Sequence, residues 1–150
     1  GPLLATMQEL ARQLDLTNVE FAPPIPLSQL SWELAGADIC LGGHFGISEK
    51  SQRVVPGKIY QMMATQRTII AADSPANRDL LTHGKSALLV PPGNSSRLAE
   101  AVQMLHDAPQ MRAEFAREAR GVYQAKCSEQ VIQAKLASIV EQTISSTRSR

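Results

Sequence analysis

The chain has 150 residues, 43% of them hydrophobic, with 15 basic against 14 acidic side chains, enough for one soluble domain with a single core. A formal net charge of +1 gives no general attraction to nucleic acid or to an acidic membrane surface, and 4% aromatic content is too sparse for a base-stacking platform. Nucleic-acid binding is therefore not expected, and no apolar stretch approaches the ~20 residues of a membrane span.

In chain order, Leu3, Met7, Leu10, Ala11 and Leu14 recur at helical spacing, so the chain opens in an amphipathic helix. Residues 18–22, NVEFA, alternate and carry Val and Phe, which predicts a short strand. PPIP turns the chain, and Leu30 and Leu34 mark a helix ending near Gly36. DICLG, 38–42, reads as a second strand, apolar enough to be covered on both faces. From Gly42 to Val55 there is no clean periodicity, and so long a loop is more often functional or mobile than a bare connector. VVPGKIYQMMATQRTIIAAD then gives a Pro-Gly-Lys corner, a helix with Ile59, Met62 and Met63 inward, and a third strand, TIIAA (68–72).

NRDLLTHG predicts a short helix closed by Gly84 as its C′ residue. ALLV, 87–90, is the fourth strand and PPGN the turn after it. Asn94, Ser95 and Ser96 can cap a helix carrying Leu98, Val102 and Leu105. Pro109 can start another with Met111, Phe115 and Val122 inward. Ser128 can cap a last one with Ile132, Leu136 and Ile139 on one face, leaving a frayed tail over 143–150. Cys40 and Cys127 lack metal-ligand spacing, and Cys40 in its apolar run suits a buried free thiol. With no signal peptide recognisable, a reducing cytoplasm is the expected compartment.

Strands alternating with helices of about ten residues imply parallel strands with right-handed crossovers. The expected fold class is α/β, a Rossmann-like parallel sheet with a helical C-terminal tail. Ligands in such sheets bind beyond the carboxyl ends of the strands. Here those ends are Gly42–His44, Asp73–Pro75 and Pro91–Gly93. The pattern alone supplies a crevice and no ligand.

The order of these pieces resembles one family. GPLL, ELARQLDLTNVEFAPPIPLSQL and LAGADICL are similar to the middle of the C-terminal domain of retaining GT-B glycosyltransferases, the family-4-like "group 1" enzymes. VVPGKIYQMMATQRTIIAADSPANRDLLTHGKSALLVPPGNSSRLAEAV is similar to their donor-site segment. The resemblance covers about residues 1–142, the expected extent of a partial donor-binding domain. It implies binding of a nucleotide-diphosphate sugar, with the acceptor held by a separate N-terminal domain. It also implies hexosyl transfer to a glycan or lipid in polysaccharide synthesis, a diphosphate stabilised by basic side chains and helix N-termini, no metal or other cofactor, and a cytoplasmic parent enzyme peripheral to the inner membrane.

The family's residues carry over unevenly. Gln61 stands where members place a ribose-binding glutamate; it keeps an acceptor oxygen but not the charge. Lys58, one turn earlier, shares its face and reads either as a donor-phosphate contact or as a solvated lysine that opposes the helix dipole. The earlier family glutamate is absent: Gly43 stands two places before Phe45, and HFGI keeps only the Phe-Gly portion. The helix exit departs too, with Gln66 and Thr68 where Gly and Pro are common, and Asp79 replaces a familiar glutamate.

The remaining donor-site candidates are His44 toward the sugar, backbone N–H groups of Phe45, Gly46 and Ile47, Arg53 toward phosphate, and Ser74 and Asn77, with Ala76, after the third strand. Each has a plain alternative as a loop, surface or capping residue. Two central strands of the 3-2-1-4-5-6 order, and the family's diphosphate-binding Arg and Lys, have no counterpart here, so the expected fold is truncated at its N-terminus and inactive alone. A rival reading is a non-catalytic α/β module that forms a homodimer through an exposed sheet edge. A nucleotide-sugar epimerase ranks lower because those chains use different acid–base residues.

Overall fold

The computed structural model describes residues 2–148, and the chain divides into two compact units, Gly1–Leu30 and Ser31–Arg150. In the first unit, α1 (Leu4–Gln13) forms where the apolar spacing predicts it, with Glu9 and Arg12 paired one turn apart at 2.7 Å. Its residues Met7, Leu10 and Leu14 remain exposed. The strand expected at 18–22 is not formed. These residues are irregular, and none of their backbone groups finds a backbone partner among the described residues. Alternating Val19 and Phe21 supply propensity only; a strand exists through the ladder a neighbour provides. From there α2 (Leu27–Gly36) runs to its expected end.

The second unit is built on a parallel sheet of β1 (Ile39–Leu41), β2 (Thr68–Ala72) and β3 (Leu88–Val90) in that spatial order, so among the described residues three strands form rather than four. Ile39 lies opposite Thr68, and Ile70 opposite Leu88. All five residues of β2 are buried, as a central parallel strand requires. Strand β1 was expected to be covered on both faces, but only Cys40 is buried, and Leu41 is 44% exposed.

The crossovers hold α3 (Glu49–Arg53) with α4 (Gly57–Ala64), then α5 (Pro75–Leu80); α6 (Ser95–Asp107), α7 (Pro109–Lys126) and α8 (Glu129–Arg148) follow the sheet. Alternate strand residues feed two cores. Ile69, Ala71 and Leu89 pack with Ile59, Met62 and Met63 of α4, while Ile70, Leu88 and Val90 pack with Ala101 and Leu105 of α6. Helix α7 serves both, through Ala119 in the first core and Phe115 in the second.

Three arginines close the end of this unit opposite the strands' carboxyl ends. Arg67 donates to the Ala35 carbonyl at 2.9 Å, Arg112 to the Leu105 and His106 carbonyls at 2.6 and 2.9 Å, and Arg120 to the Ala64 carbonyl. These are the last turns of α2, α6 and α4, where carbonyls lack helical partners and the dipole favours a cation.

Other expectations need correction. Helix α5 starts at Pro75 and stops at Leu80, not at Gly84, because Leu81 leaves the helix in extended conformation to reach the core. Gly84, at φ +70°, turns the chain toward β3 instead. Ile132, Leu136 and Ile139, expected on one face of the last helix, lie on α8 and are exposed. Ser128 donates to the Gln124 carbonyl, and the segment expected to fray is helical through Arg148, with residues 149–150 outside the described ones. Among the described residues no helix is long and apolar enough to cross a membrane.

Candidate functional site

The chain leaves β1 through Gly42, whose N–H donates to the Ile70 carbonyl at 2.8 Å and so extends the ladder with β2. Gly43 and His44 follow with φ of +80° and +56°. Left-handed backbone suits glycine but strains histidine, so this turn is held by its surroundings. The Lys58 side chain lies over it: a Cβ on Gly43 would meet Lys58 Nζ at 3.4 Å. A methyl group there would be in ordinary contact with the lysine, so it is the positive φ that calls for glycine at this position.

Lys58 stands in the first turn of α4, after Pro56 at the N-cap, where a positive charge works against the dipole by about 0.3–1 kcal/mol. No ion pair engages it among the described residues. Gln61 lies one turn on, half-buried. Its backbone carbonyl caps Thr65, while its side-chain amide has no hydrogen-bond partner among the described residues.

Beyond His44, the loop is tied down through its carbonyls. The Gly93 N–H donates to the Phe45 carbonyl at 2.6 Å, joining the loop after β1 to the turn after β3. The Ser51 hydroxyl, buried in α3, lies 2.8 Å from the Gly46 carbonyl and is also within bonding distance of the Ser48 carbonyl. By contrast, the N–H groups of Phe45, Gly46 and Ile47 have no acceptor among the described residues. Three successive N–H groups without acceptors, in a loop that carries the Lys58 ammonium over Gly43, favour positive potential and suit an anion. A mostly apolar cavity of about 250 Å³, lined by Phe45, Pro91, Gly93, Asn94, Ser95 and Leu98, adjoins this tie.

The other predicted residues sit differently. Arg53 is exposed and paired with Glu49 within α3. Ser74 and Asn77 are fully buried. The Ser74 hydroxyl accepts from the Asn77 N–H at 3.2 Å as the cap of α5, and Asn77 Nδ2 donates to the Ala72 carbonyl at 2.8 Å. Asn77 Oδ1 is buried without a partner among the described residues. Beside them, Arg78 grips Asp73 in a two-point ion pair, with Nη2 to Oδ2 at 2.6 Å, and holds its carboxyl below the usual range. Among the described residues no group of three or more His, Cys, Asp or Glu could hold a metal ion.

The structure thus gathers Lys58, His44, Phe45, Gly46 and Ile47 at the end of β1, keeps Gln61 on the same helix face as Lys58, and leaves Arg53 on the outer side of α3 with its own acid. Two residues were missed in the sequence. Ser51 lay in a stretch read as aperiodic, although Ser48-Glu49-Lys50-Ser51 carries a helix-start signal: Ser48 accepts from the Ser51 N–H, and Glu49 is acidic in the first turn. Gly93 was read as a turn residue; its bond to Phe45 links segments far apart in sequence and has no local signal.

Comparison with known proteins bears on this site. The model of the family "Glycosyl transferases group 1" matches residues 1–108. No curated protein matches the chain in sequence. Among solved structures, sucrose-phosphate synthase from Thermosynechococcus elongatus is similar with a TM-score of 0.80 and 19% identity over 97% of this chain. HepE of Anabaena in complex with UDP-glucose has a TM-score of 0.76 and 20% identity over 93% of it. The C-terminal domain of LpcC, a glycosyl transferase group 1 protein from Francisella tularensis, has a TM-score of 0.66 and 19% identity over 85%. The chain spans 35% of the first of these, 36% of the second and 65% of the third. These likenesses establish the α/β fold of the GT-B C-terminal domain.

Proposed function

The chain belongs to the glycosyl transferases group 1 family, and on that premise we propose that it forms the nucleotide-sugar-binding part of a glycosyltransferase. One observation carries this reading: the loop after β1 spends its Phe45 and Gly46 carbonyls internally and leaves the N–H groups of Phe45, Gly46 and Ile47 without a partner among the described residues, while the Lys58 ammonium lies against Gly43 at the start of the same loop. A diphosphate matches that arrangement, because fixed N–H dipoles and a mobile cation together stabilise charge that grows as a leaving group departs. Lys58 supplies the charge and Phe45–Ile47 the dipoles. Gln61 offers its free amide to a ribose hydroxyl, and His44 stands at the mouth of the turn for the sugar.

Arg53 joins as a second cation only by exchanging its exposed pair with Glu49, a weak tie. Ser74 and Asn77 act from beneath, as buried supports of the turn after β2. The HepE complexes with UDP-glucose and UDP make a uridine nucleotide the first ligand to test. In the whole enzyme the reaction is transfer of a hexose to a glycan or lipid acceptor held by a separate domain, with loss of the nucleoside diphosphate. The chain alone is expected to bind and not to turn over.

Calorimetric titration with UDP, GDP and ADP tests this, repeated on Lys58→Ala and Gln61→Ala. Saturable binding weakened in both variants supports the reading; no binding at millimolar nucleotide removes it. A second reading has its own observation: β1 ends the sheet, and Leu41 on it is exposed. An open edge is a template for pairing, and a stable dimer without nucleotide affinity, seen by sedimentation, would favour a non-catalytic module.

A further inference from the structure

From the ties on the loop after β1, we infer that Ser51 and Gly93 are positioning residues that turn the N–H groups of Gly46 and Ile47 toward the ligand. The inference rests on the nucleotide-sugar reading above and adds residues that touch no ligand. A peptide unit is planar, so fixing its carbonyl oxygen fixes the direction of the N–H that follows it. The Gly93 N–H holds the Phe45 carbonyl at 2.6 Å and thereby orients the Gly46 N–H; the Ser51 hydroxyl holds the Gly46 carbonyl at 2.8 Å and orients the Ile47 N–H. The two ties act on consecutive peptide planes, one from α3 and one from the turn after β3.

Gly93 is costly to replace, through its left-handed backbone and through the Ile47 side chain that would have to give way. It stands at φ +70°, and a Cβ there would lie 3.0 Å from Ile47 Cγ2. Ser51 is buried, and its single hydroxyl proton is shared between the Gly46 carbonyl at 2.8 Å and the Ser48 carbonyl at 2.5 Å. Removing the Ser51 hydroxyl therefore frees the Gly46 peptide without adding bulk. Lys58 meets the loop at Gly43, outside the two tied peptides.

The test follows backbone amide resonances of Gly46 and Ile47 in the full chain by nitrogen–proton NMR, with UDP as the probe, well below the unfolding midpoint. The variants are Ser51→Ala, Gly93→Ala, and Gly93→Ala combined with Ile47→Ala, which removes the clashing methyl. The expected result is a shift of these amides in Ser51→Ala and Gly93→Ala without nucleotide, and UDP affinity lower by roughly tenfold in each, the size of one lost oriented hydrogen bond to a charged group. The double variant should recover part of the loss. A merely structural role would lower the unfolding midpoint and leave both the amides and the affinity where they were, which overturns the inference. If the unsubstituted chain fails to bind UDP, the nucleotide reading falls by itself. The ties are then judged on the ligand-free spectra, where unmoved amides in Ser51→Ala refute them and moved amides uphold them.

Discussion

Gly42→Ala is the substitution whose cost can be worked most directly from the structure. A Cβ at this buried position would lie 3.0 Å from Ile59 Cγ1, 3.1 Å from Ile59 Cδ1 and 3.2 Å from Ala71 Cβ. Carbon atoms prefer ~3.5–4.0 Å, so a single methyl group overlaps three neighbours. Ile59 is fully buried and Ala71 has no rotamer to change, so the relief must come from α4 moving off the strand end. Overpacking of this kind destabilises by about 1–3 kcal/mol. Two independent obstacles place this case near 2 kcal/mol, a fall of roughly 6–10 °C in midpoint for a unit of this size.

The shift should also carry Lys58, the residue before Ile59, away from Gly43 and weaken nucleotide binding. Ile59→Ala alone loses about 2–5 kcal/mol by leaving a cavity, but in the double variant the new methyl occupies part of that space. The pair should therefore be less destabilised than the sum of the singles by more than 1 kcal/mol, beyond the ~0.5 kcal/mol scatter of independent sites. Urea and thermal unfolding of the four proteins by circular dichroism measures this. Additive effects, or a Gly42→Ala protein that melts like the parent, would refute the packing argument.

Three further outcomes are expected. Because Arg78 depresses the Asp73 carboxyl, their pair stabilises the fold above the unfolded-state value, roughly pH 4, and that contribution is lost as pH falls through the lower folded value. Arg78→Ala should return Asp73 toward the ordinary range in a carbon NMR titration; an unchanged titration contradicts the pairing. A thiol-reactive dye should label Cys127 in the native protein and Cys40 only on unfolding, since Cys40 is buried and burial pushes its thiol up; rapid native labelling of both would show that the first core is open. Arg120→Ala should destabilise by about 1–2 kcal/mol through loss of a charge-assisted bond to the Ala64 carbonyl. Arg120→Lys should recover little of this in urea unfolding, because the guanidinium also lies over Tyr123 at 5.5 Å.

What could be read from the sequence was whatever is encoded locally. The 3.6-residue spacing of Ile59, Met62 and Met63 placed α4, the apolar run TIIAA placed β2, and Asn94 and Pro109 marked the starts of α6 and α7. Relations between distant segments were not legible. Residues 18–22 have strand propensity but no ladder, and the apolar face of α8 has helical spacing but no cover, because periodicity says which face is apolar and not what lies against it. The same limit applied to the site. Lys58 and Phe45–Ile47 could be nominated from a strand end and a Phe-Gly pair. That Ser74 and Asn77 would be buried, and that Ser51 and Gly93 would tie the loop, depends on contacts across the sheet.

The three arginines that hold helix carbonyls at the far end of the sheet also bear on how this scaffold tolerates change. They fasten the last turns of α2, α4 and α6 at the end of the sheet away from the loops after the strands, so the register of those helices does not depend on those loops. A loop there can lengthen, shorten or change residue type at a price confined largely to itself, since loop-closure entropy grows only slowly with length. The two ends of the unit are free to diverge at different rates: one set by helix ends that must find their guanidinium, the other by whatever molecule the loops are asked to hold.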